Sequence, residues 1–200
     1  MIAPNRALPS IVWVISIVRE HASGDPRVPS RLACYIRKQM PDEPTNVQRT
    51  PEEILAALGL ALPQLPASAG NYVPLKRVGN IIYLSGVIST ASGSVITGTV
   101  GADKSIQEGY EAAKACALTH LAVLQWELGS LSRVAEVIGI TGYVNAVPGF
   151  ADSPAVINGA SDLLVQVFGE AGRHVRAALG VSALPRNALV EVQTTVRIKE

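Results

Sequence analysis

The chain has 200 residues, of which 48% are hydrophobic and 16% charged, and its formal net charge is +1. This length and apolar content suit one compact domain with an extension, and the near-zero charge excludes a global electrostatic attraction to nucleic acid. The two cysteines and three histidines are scattered, so we expect no disulfide framework, no metal site and a reducing, cytoplasmic setting. The apolar run at 11–18 is far shorter than the about 20 residues of a membrane span, so no membrane association is expected.

Residues 1–50 differ from the rest of the chain in composition. They hold seven of the seventeen Lys and Arg residues and six of the thirteen prolines, and neither a helical nor a strand period persists in them. This pattern is typical of a poorly ordered N-terminal extension. Thr50 and Pro51 then supply an N-cap and a proline at the first helical position. We therefore expect the organised domain to comprise residues 51–200.

The first elements of this domain are a short helix and an apolar strand region. The helix is predicted to begin at Pro51 and to end at Gly59. Residues 78–88 form either two strands or one bent strand, since Gly79 and Asn80 interrupt the apolar run. Because that run is nearly continuous, we expect burial on both faces, with the second face covered by another subunit. A short strand is predicted at 95–97.

Two longer helices and three strands complete the domain. Apolar residues at spacings of three and four predict a helix from Ser105 to Leu128 that is closed by Gly129. A second helix is expected to begin with Ser153 as its N-cap. Apolar strands are predicted at 134–144, 175–181 and 190–196. The order of elements indicates an α+β or α/β layer, a sheet with two helices on one face.

Arg176 is the unusual residue of these strands, because it is a permanent cation in an apolar run. Its neighbours on the same face, Ala178 and Gly180, are small and leave room above the guanidinium. Burying a cation is unfavourable unless it meets an anion. Glu191 on the following strand is one candidate partner, which would give a structural ion pair. The carboxylate of a ligand is the other, and the residues themselves leave both open.

Three further reactive side chains are expected to serve structure. Cys116 lies among alanines and is predicted to be a small core residue. His120 has no Cys, Asp or Glu near it in sequence, so it is assigned to structure or to the surface. His174 is expected at an exposed position at the start of its strand.

Several short motifs occur in a fixed order along the domain. They are GNYVP at 70–74, LSG at 84–86, NAVPGF at 145–150, NG at 158–159, VR at 175–176, LP at 184–185 and VEV at 190–192. The ordered set resembles the RidA family, also called YjgF or L-PSP, in a divergent subgroup. The resemblance implies a chorismate-mutase-like α+β fold, with a sheet and two helices packed on one face. It also implies a homotrimer with ligand clefts between subunits.

The resemblance further implies an activity and a set of site residues. The activity is hydrolysis of reactive enamine and imine intermediates of amino acids to 2-oxo acids and ammonia, without a metal or organic cofactor. Arg176 would hold the substrate carboxylate, and Glu191 would orient or activate the attacking water. Tyr72, Ser85 and Asn158 would line the cleft. Each of these three has a structural alternative: a rim aromatic, a strand-end hydroxyl and a helix-pinning amide.

Two other functions remain open at this point. One is a non-catalytic trimer that binds a small carboxylate or acts like a chaperone, because Ala177 and Ala178 stand where founding family members often carry serine and cysteine. The other is the endoribonuclease or translation-inhibitor activity attributed to the family. Residues 51–200 carry ten Lys and Arg against twelve Asp and Glu, and only 4% of the chain is aromatic. With no basic stripe and no row of stacking side chains, the sequence argues against nucleic acid as a partner.

Overall fold

The structure is a computed structural model that describes residues 49–65 and 70–200. The predicted N-terminal extension lies outside the described residues except for its last two positions, so it stays a prediction. The helices and strands, in chain order, are α1 (Pro51–Ala57), β1 (Leu75–Val78), β2 (Ile81–Ile88), β3 (Thr90–Ala91), β4 (Ser94–Val95), α2 (Ile106–Leu128), β5 (Val134–Asn145), α3 (Ser153–Phe168), β6 (Val175–Val181) and β7 (Val190–Ile198). Short 3-10 turns lie at Leu131–Arg133, Gly169–Gly172 and Pro185–Asn187.

Five strands form the main sheet in the order β1-β2-β7-β5-β6. The first two strands are a hairpin in which Val78 faces Ile81, so the apolar region at 78–88 is the end of one strand, a tight turn and a second strand. Gly79 in that turn has φ +60°, which glycine adopts at little cost. β5 and β6 are parallel, and α3 makes the crossover that parallel neighbours require. β3 and β4 form a separate two-stranded sheet.

The helix ends follow the signals in the sequence, with one correction. The Ser105 hydroxyl caps α2, and Gly129 ends that helix with φ +76°. The prediction of Ser153 as the N-cap of α3 is wrong, because Asp152 occupies that position and Ser153 is already the first helical residue. Pro154 consequently lies one residue further in, where it is tolerated because the first N–H groups of a helix have no intrahelical acceptor.

Both long helices pack on one face of the main sheet, as predicted. Their approach is close at Gly159 of α3, where a Cβ would overlap the backbone carbonyl of Tyr110 on α2. The core between helices and sheet is apolar, with fully buried side chains that include Ile82, Leu84, Leu121, Leu124, Ile157, Val192 and Val196. The fold is therefore a two-layer α+β arrangement, and α1 packs against α3.

The opposite face of the sheet has no helix layer in the described residues. Burial alternates along β2, where Ile82 and Leu84 are buried and Tyr83 between them is 50% exposed. The helices of a single chain cover only one side of this strand, so cover of its second face by another subunit stays a prediction. Tyr83, Ile138 and Val175 line a shallow hollow of about 590 Å³ on this open face. Within the described residues, no helix is long and apolar enough to cross a membrane.

Candidate functional site

Arg176 lies on β6, the edge strand next to β5. It is in register with Ile140, which is buried against the helices, so the arginine side chain is on the helix-covered face. Its Nη1 donates hydrogen bonds to Asn158 Oδ1 at 2.8 Å and to Ser161 Oγ at 3.0 Å. These two acceptors are three residues apart on α3 and share one side of that helix. The guanidinium is therefore held by neutral oxygens at an exposed edge of the molecule.

His174 extends this group of side chains. Its Nε2 is 3.0 Å from Ser161 Oγ, and its Nδ1 is 2.6 Å from the Gly172 carbonyl oxygen. The expectation of an exposed histidine is wrong, since the ring is half-buried. The 3-10 turn at Gly169–Gly172 folds the chain back against α3 before β6 begins, which brings the ring to the serine. We name Asn158, Ser161, His174 and Arg176 the Arg176 cluster.

Glu191 lies on β7 between the buried Val190 and Val192, so its side chain is on the open face. The carboxylate occupies the space that a Cβ would take at Gly86 on β2, so it can hold this position only while residue 86 is glycine. Burial raises the pKa of the Glu191 carboxyl above its ordinary value. A hollow of about 400 Å³ surrounds it, lined by Gly86, Tyr143, Leu184, Glu191 and Gln193. We name these residues the Glu191 hollow.

The sequence left open an ion pair between Arg176 and Glu191, and that interpretation is wrong. In register across the sheet, Glu191 lies beside Tyr143 on the open face, whereas Arg176 lies beside Ile140 on the helix-covered face. Thr194 is the residue of β7 in register with Ile140, so the two charges are also offset by three positions, about 10 Å along the strand. The sheet thus separates the two charged side chains within one chain.

Ser85 fills a structural role at the point where β2 changes register. Its hydroxyl donates to the Val73 carbonyl at 2.7 Å, and its N–H donates to the Pro74 carbonyl at 2.9 Å. The pairing of β2 with β7 shifts between Leu84 and Val87, which marks a β-bulge. Ser85 therefore ties the segment that carries Tyr72 to the sheet, and Tyr72 itself is 52% exposed.

His120 is buried behind this bulge. Its Nε2 lies 3.0 Å from the Ser85 carbonyl oxygen, and its Nδ1 lies 2.8 Å from Thr194 Oγ1. A carbonyl only accepts, so Nε2 carries the proton, and the Thr194 hydroxyl donates to Nδ1. Burial lowers the pKa of His120 to about 4, which keeps the ring neutral. The predicted structural role of this histidine is confirmed.

One other reactive side chain, Cys116, is placed as the sequence suggested. Cys116 is fully buried in the core, and burial raises its thiol pKa, so it is not a nucleophile. No group of three or more His, Cys, Asp or Glu residues could hold a metal ion within residues 49–65 and 70–200.

Sequence reasoning missed Ser161 as a partner of Arg176, and no periodic or motif signal pointed to it. His174 had a weak signal, because it is two residues before Arg176 on the same strand side. Asn158 was a candidate from the resemblance, and its contact with Arg176 joins two of the candidate residues. Glu191, Tyr72 and Ser85 lie elsewhere, and no contact in the described residues links them to Arg176.

Comparison with known proteins places this two-layer fold in a family. Residues 52–197 match the family described as "YjgF/chorismate_mutase-like, putative endoribonuclease". Protein TCP17 of Trypanosoma cruzi is 42% identical over 146 residues, which cover 72% of this chain and 91% of that protein. The crystal structure of the Agrobacterium tumefaciens protein Atu1372, of unknown function, is 42% identical with a TM-score of 0.69, covering 76% of this chain and 94% of its own.

The chain belongs to the YjgF/chorismate-mutase-like family, which is the family that its motifs predicted under the name RidA. A more distant relative, the 2-iminobutanoate/2-iminopropanoate deaminase of Dermatophagoides farinae, is 26% identical over 142 residues, which cover 70% of this chain and 95% of that protein. Family membership and the α+β, chorismate-mutase-like fold are thus confirmed.

Proposed function

We propose that this protein hydrolyses reactive imine and enamine intermediates of amino acids to 2-oxo acids and ammonia. The observation that carries the proposal is Arg176, an exposed guanidinium that is held in place by Asn158 and Ser161 and has no carboxylate among its hydrogen-bond partners in residues 49–65 and 70–200. A cation oriented in this way suits a small carboxylate ligand. The deaminase named for Dermatophagoides farinae, at 26% identity, supports the choice of substrate class.

The separation of Arg176 from Glu191 supports a site shared between copies of the chain. Both residues can reach one small ligand only if the Arg176 cluster of one copy meets the Glu191 hollow of another. The exposed apolar side chains of the open face, Tyr83, Ile138 and Val175, are the kind of surface that a neighbouring copy would bury. A ring of three copies closes such a heterologous contact. We therefore propose a homotrimer with one cleft at each subunit contact.

In this cleft the reaction needs little more than positioning. Arg176 holds the substrate carboxylate, and Glu191 accepts a proton from a water as the water oxygen attacks the imine carbon. The imine nitrogen takes up a proton from solvent as the carbinolamine forms. The protonated Glu191 then gives its proton to that nitrogen and the carbon–nitrogen bond breaks to release ammonia. The hydroxyl loses its proton to solvent as the carbon–oxygen double bond of the 2-oxo acid forms. The raised pKa of Glu191 makes its carboxylate a stronger base than an ordinary glutamate, which favours the first proton transfer. We propose Tyr72 as a rim residue of the cleft and Ser85 as the residue that anchors it.

The experiment is ammonia release from 2-iminopropanoate that an amino-acid oxidase generates in the same vessel. We expect the wild-type protein to accelerate release over spontaneous hydrolysis, and Arg176→Ala to lower kcat/KM about 100-fold or more, as loss of one charge-assisted pair does. Arg77→Ala is the matched control, because that arginine lies on β1 at the other sheet edge and bonds only to the Gly79 carbonyl among the described residues. Equal release with and without the protein would overturn the proposal.

The second candidate, a carboxylate-binding trimer without turnover, is favoured by Ala177 and Ala178. It predicts that small carboxylates raise the melting temperature of the wild-type protein and not of Arg176→Ala, while imine hydrolysis stays at the spontaneous rate. The two experiments together separate the candidates. The cytoplasmic location stays a prediction.

A further inference from the structure

We infer that Ser161 and His174 are positioning residues that decide which edge of Arg176 meets the ligand carboxylate. They fix Nη1 of the guanidinium and leave the edge formed by Nε and Nη2 to bind. The inference rests on the proposed function, because it concerns how Arg176 holds the substrate. It adds two residues that neither the sequence motifs nor the proposed reaction had assigned.

The guanidinium of Arg176 has a fixed number of N–H donors. An arginine has five N–H groups: two on Nη1, two on Nη2 and one on Nε. Both hydrogens of Nη1 are used in the described structure, one toward Asn158 Oδ1 and one toward Ser161 Oγ. The end-on pair, which needs one hydrogen from each Nη, is therefore taken. Among the described residues, the side-on pair of Nε–H and Nη2–H is left without an acceptor, and its parallel directions match the two oxygens of a carboxylate.

The Ser161 hydroxyl depends on His174 for its orientation. The Gly172 carbonyl can only accept, so Nδ1 of His174 carries a proton. In the neutral ring Nε2 then accepts, and the Ser161 O–H donates to it over 3.0 Å. With its proton directed at His174, the serine offers a lone pair to Arg176. Without the histidine, the same hydroxyl could donate to the backbone carbonyl one turn back, as serines in helices do, and turn away from Arg176.

The edge of the guanidinium that binds the carboxylate determines how the substrate is oriented. A side-on carboxylate has its reactive carbon in one fixed direction from the guanidinium, and the attacking water must be aligned with that carbon. If Ser161 no longer holds Nη1, the guanidinium can rotate between side-on and end-on pairing. We therefore expect weaker carboxylate binding and a raised KM, with kcat changed less, because the base Glu191 lies outside this cluster.

The test uses 2-oxobutanoate as a stable carboxylate probe, titrated into ¹⁵N-labelled full-length protein. The Nε–H signal of Arg176, assigned by its loss in Arg176→Ala, is expected to shift as the probe binds. Ser161→Ala and His174→Ala should each raise the dissociation constant about tenfold and reduce this shift. A tenfold change in the dissociation constant corresponds to the loss of one hydrogen bond to a charged group. Ser161→Thr keeps the hydroxyl and should bind as the wild type does. Gln166→Ala, at an exposed position of α3, is the control.

Each outcome decides something. The inference is overturned if the wild-type protein binds the probe and both Ser161→Ala and His174→Ala bind it with the same affinity and the same Nε–H shift. The proposed function would then still stand. Failure of the wild-type protein to bind any carboxylate overturns the proposed function, and the inference with it. If Ser161→Ala does not fold, the other two variants still test the inference. His174→Ala is expected to bind more weakly and Ser161→Thr to bind as the wild type does, so equal affinities for those two would overturn the inference.

Discussion

The Arg176 cluster and the Glu191 hollow are built in different ways on the two faces of one sheet. In the cluster, the charged group is held by side-chain hydrogen bonds from one helix, at an exposed strand edge. In the hollow, the charged group sits against bare backbone at Gly86, and burial raises its pKa. A histidine bonds within the cluster, where His174 meets Ser161, and another, His120, bonds the carbonyl of Ser85, the residue before Gly86.

The difference shows how one chain can prepare two opposite functions. A cation that is to bind an anion benefits from neutral acceptors that orient it without neutralising its charge. A carboxylate that is to accept a proton benefits from partial burial, which raises its basicity. Had the two residues faced each other in one chain, they would have formed an ion pair and lost both properties. Their separation by the sheet keeps each available for a ligand.

The largest expected effect is complementation between two inactive variants. Arg176→Ala and Glu191→Ala should each show almost no imine hydrolysis alone. When the two are co-expressed in equal amounts and mix at random, about three quarters of closed trimers contain both, and each of these has one intact cleft out of three. We therefore expect about one quarter of the wild-type activity, measured as ammonia release. No recovery in mixed trimers verified by mass spectrometry would contradict a site shared between copies.

Glu191→Gln tests the proposed general base. We expect kcat/KM to fall about 100-fold or more, since the general base is lost. In the wild type, activity should fall with decreasing pH at a higher pH than for an ordinary glutamate, because the Glu191 pKa is raised. A pH-rate profile from pH 4 to pH 8 checks this, and an acid limb at or below about pH 4.3, the ordinary pKa of glutamate, would contradict it.

The same variant has an expected effect on stability with the opposite sign. A carboxyl whose pKa is raised in the folded state is penalised when it ionises, so its stabilising contribution is present below the unfolded pKa and lost as pH rises through the folded value. Glu191→Gln should therefore melt at a higher temperature than the wild type at pH 7. This gain should disappear as the pH approaches 4, which thermal unfolding at both pH values measures.

Gly86→Ala is expected to have a smaller effect, confined to the Glu191 hollow. The added Cβ would overlap Glu191 Oε1, so the carboxylate must rotate away from its position. Because the atom that moves is the end of a flexible side chain, we expect little change in melting temperature and a loss of kcat of about tenfold or more. Carboxylate binding at the Arg176 cluster should be unchanged in the same variant. A matching loss of affinity there would show that the two halves are not independent.

The smallest expected effect on activity belongs to His120, which acts on overall stability instead. Its pKa of about 4 in the folded protein is below the unfolded value, so the unfolded chain binds an extra proton between roughly pH 4 and pH 6.5. Stability should be complete above pH 6.5 and fall with decreasing pH through that window, by on the order of 1 kcal/mol per pH unit. His120→Gln should be less stable at pH 7 and should lose this pH dependence, as urea unfolding at several pH values would reveal. A variant with the wild-type slope would contradict the assignment.

Much of the fold was predictable because its signals are local. The capping residues Thr50 and Ser105, the closing Gly129 and the alternation along β7 depend on neighbours within a few positions. For residues 78–88 the sequence left two interpretations open, two strands or one bent strand, because an apolar run does not distinguish a tight turn from a bend. Burial of both faces of β2 was predicted from its nearly continuous apolar run, with another subunit on the second face, and a single chain covers only the first of them.

By itself, the sequence indicated the family, the longer helices and strands, and the two charged residues proposed for the site. It could not decide their relation, because strand periodicity gives alternation within a strand but not the register between strands that are distant in sequence. Only the tertiary structure placed Arg176 and Glu191 on opposite faces and brought Ser161 and His174 to the guanidinium. These are long-range relations between α3, β6 and β7, and packing of the helices on the sheet sets them.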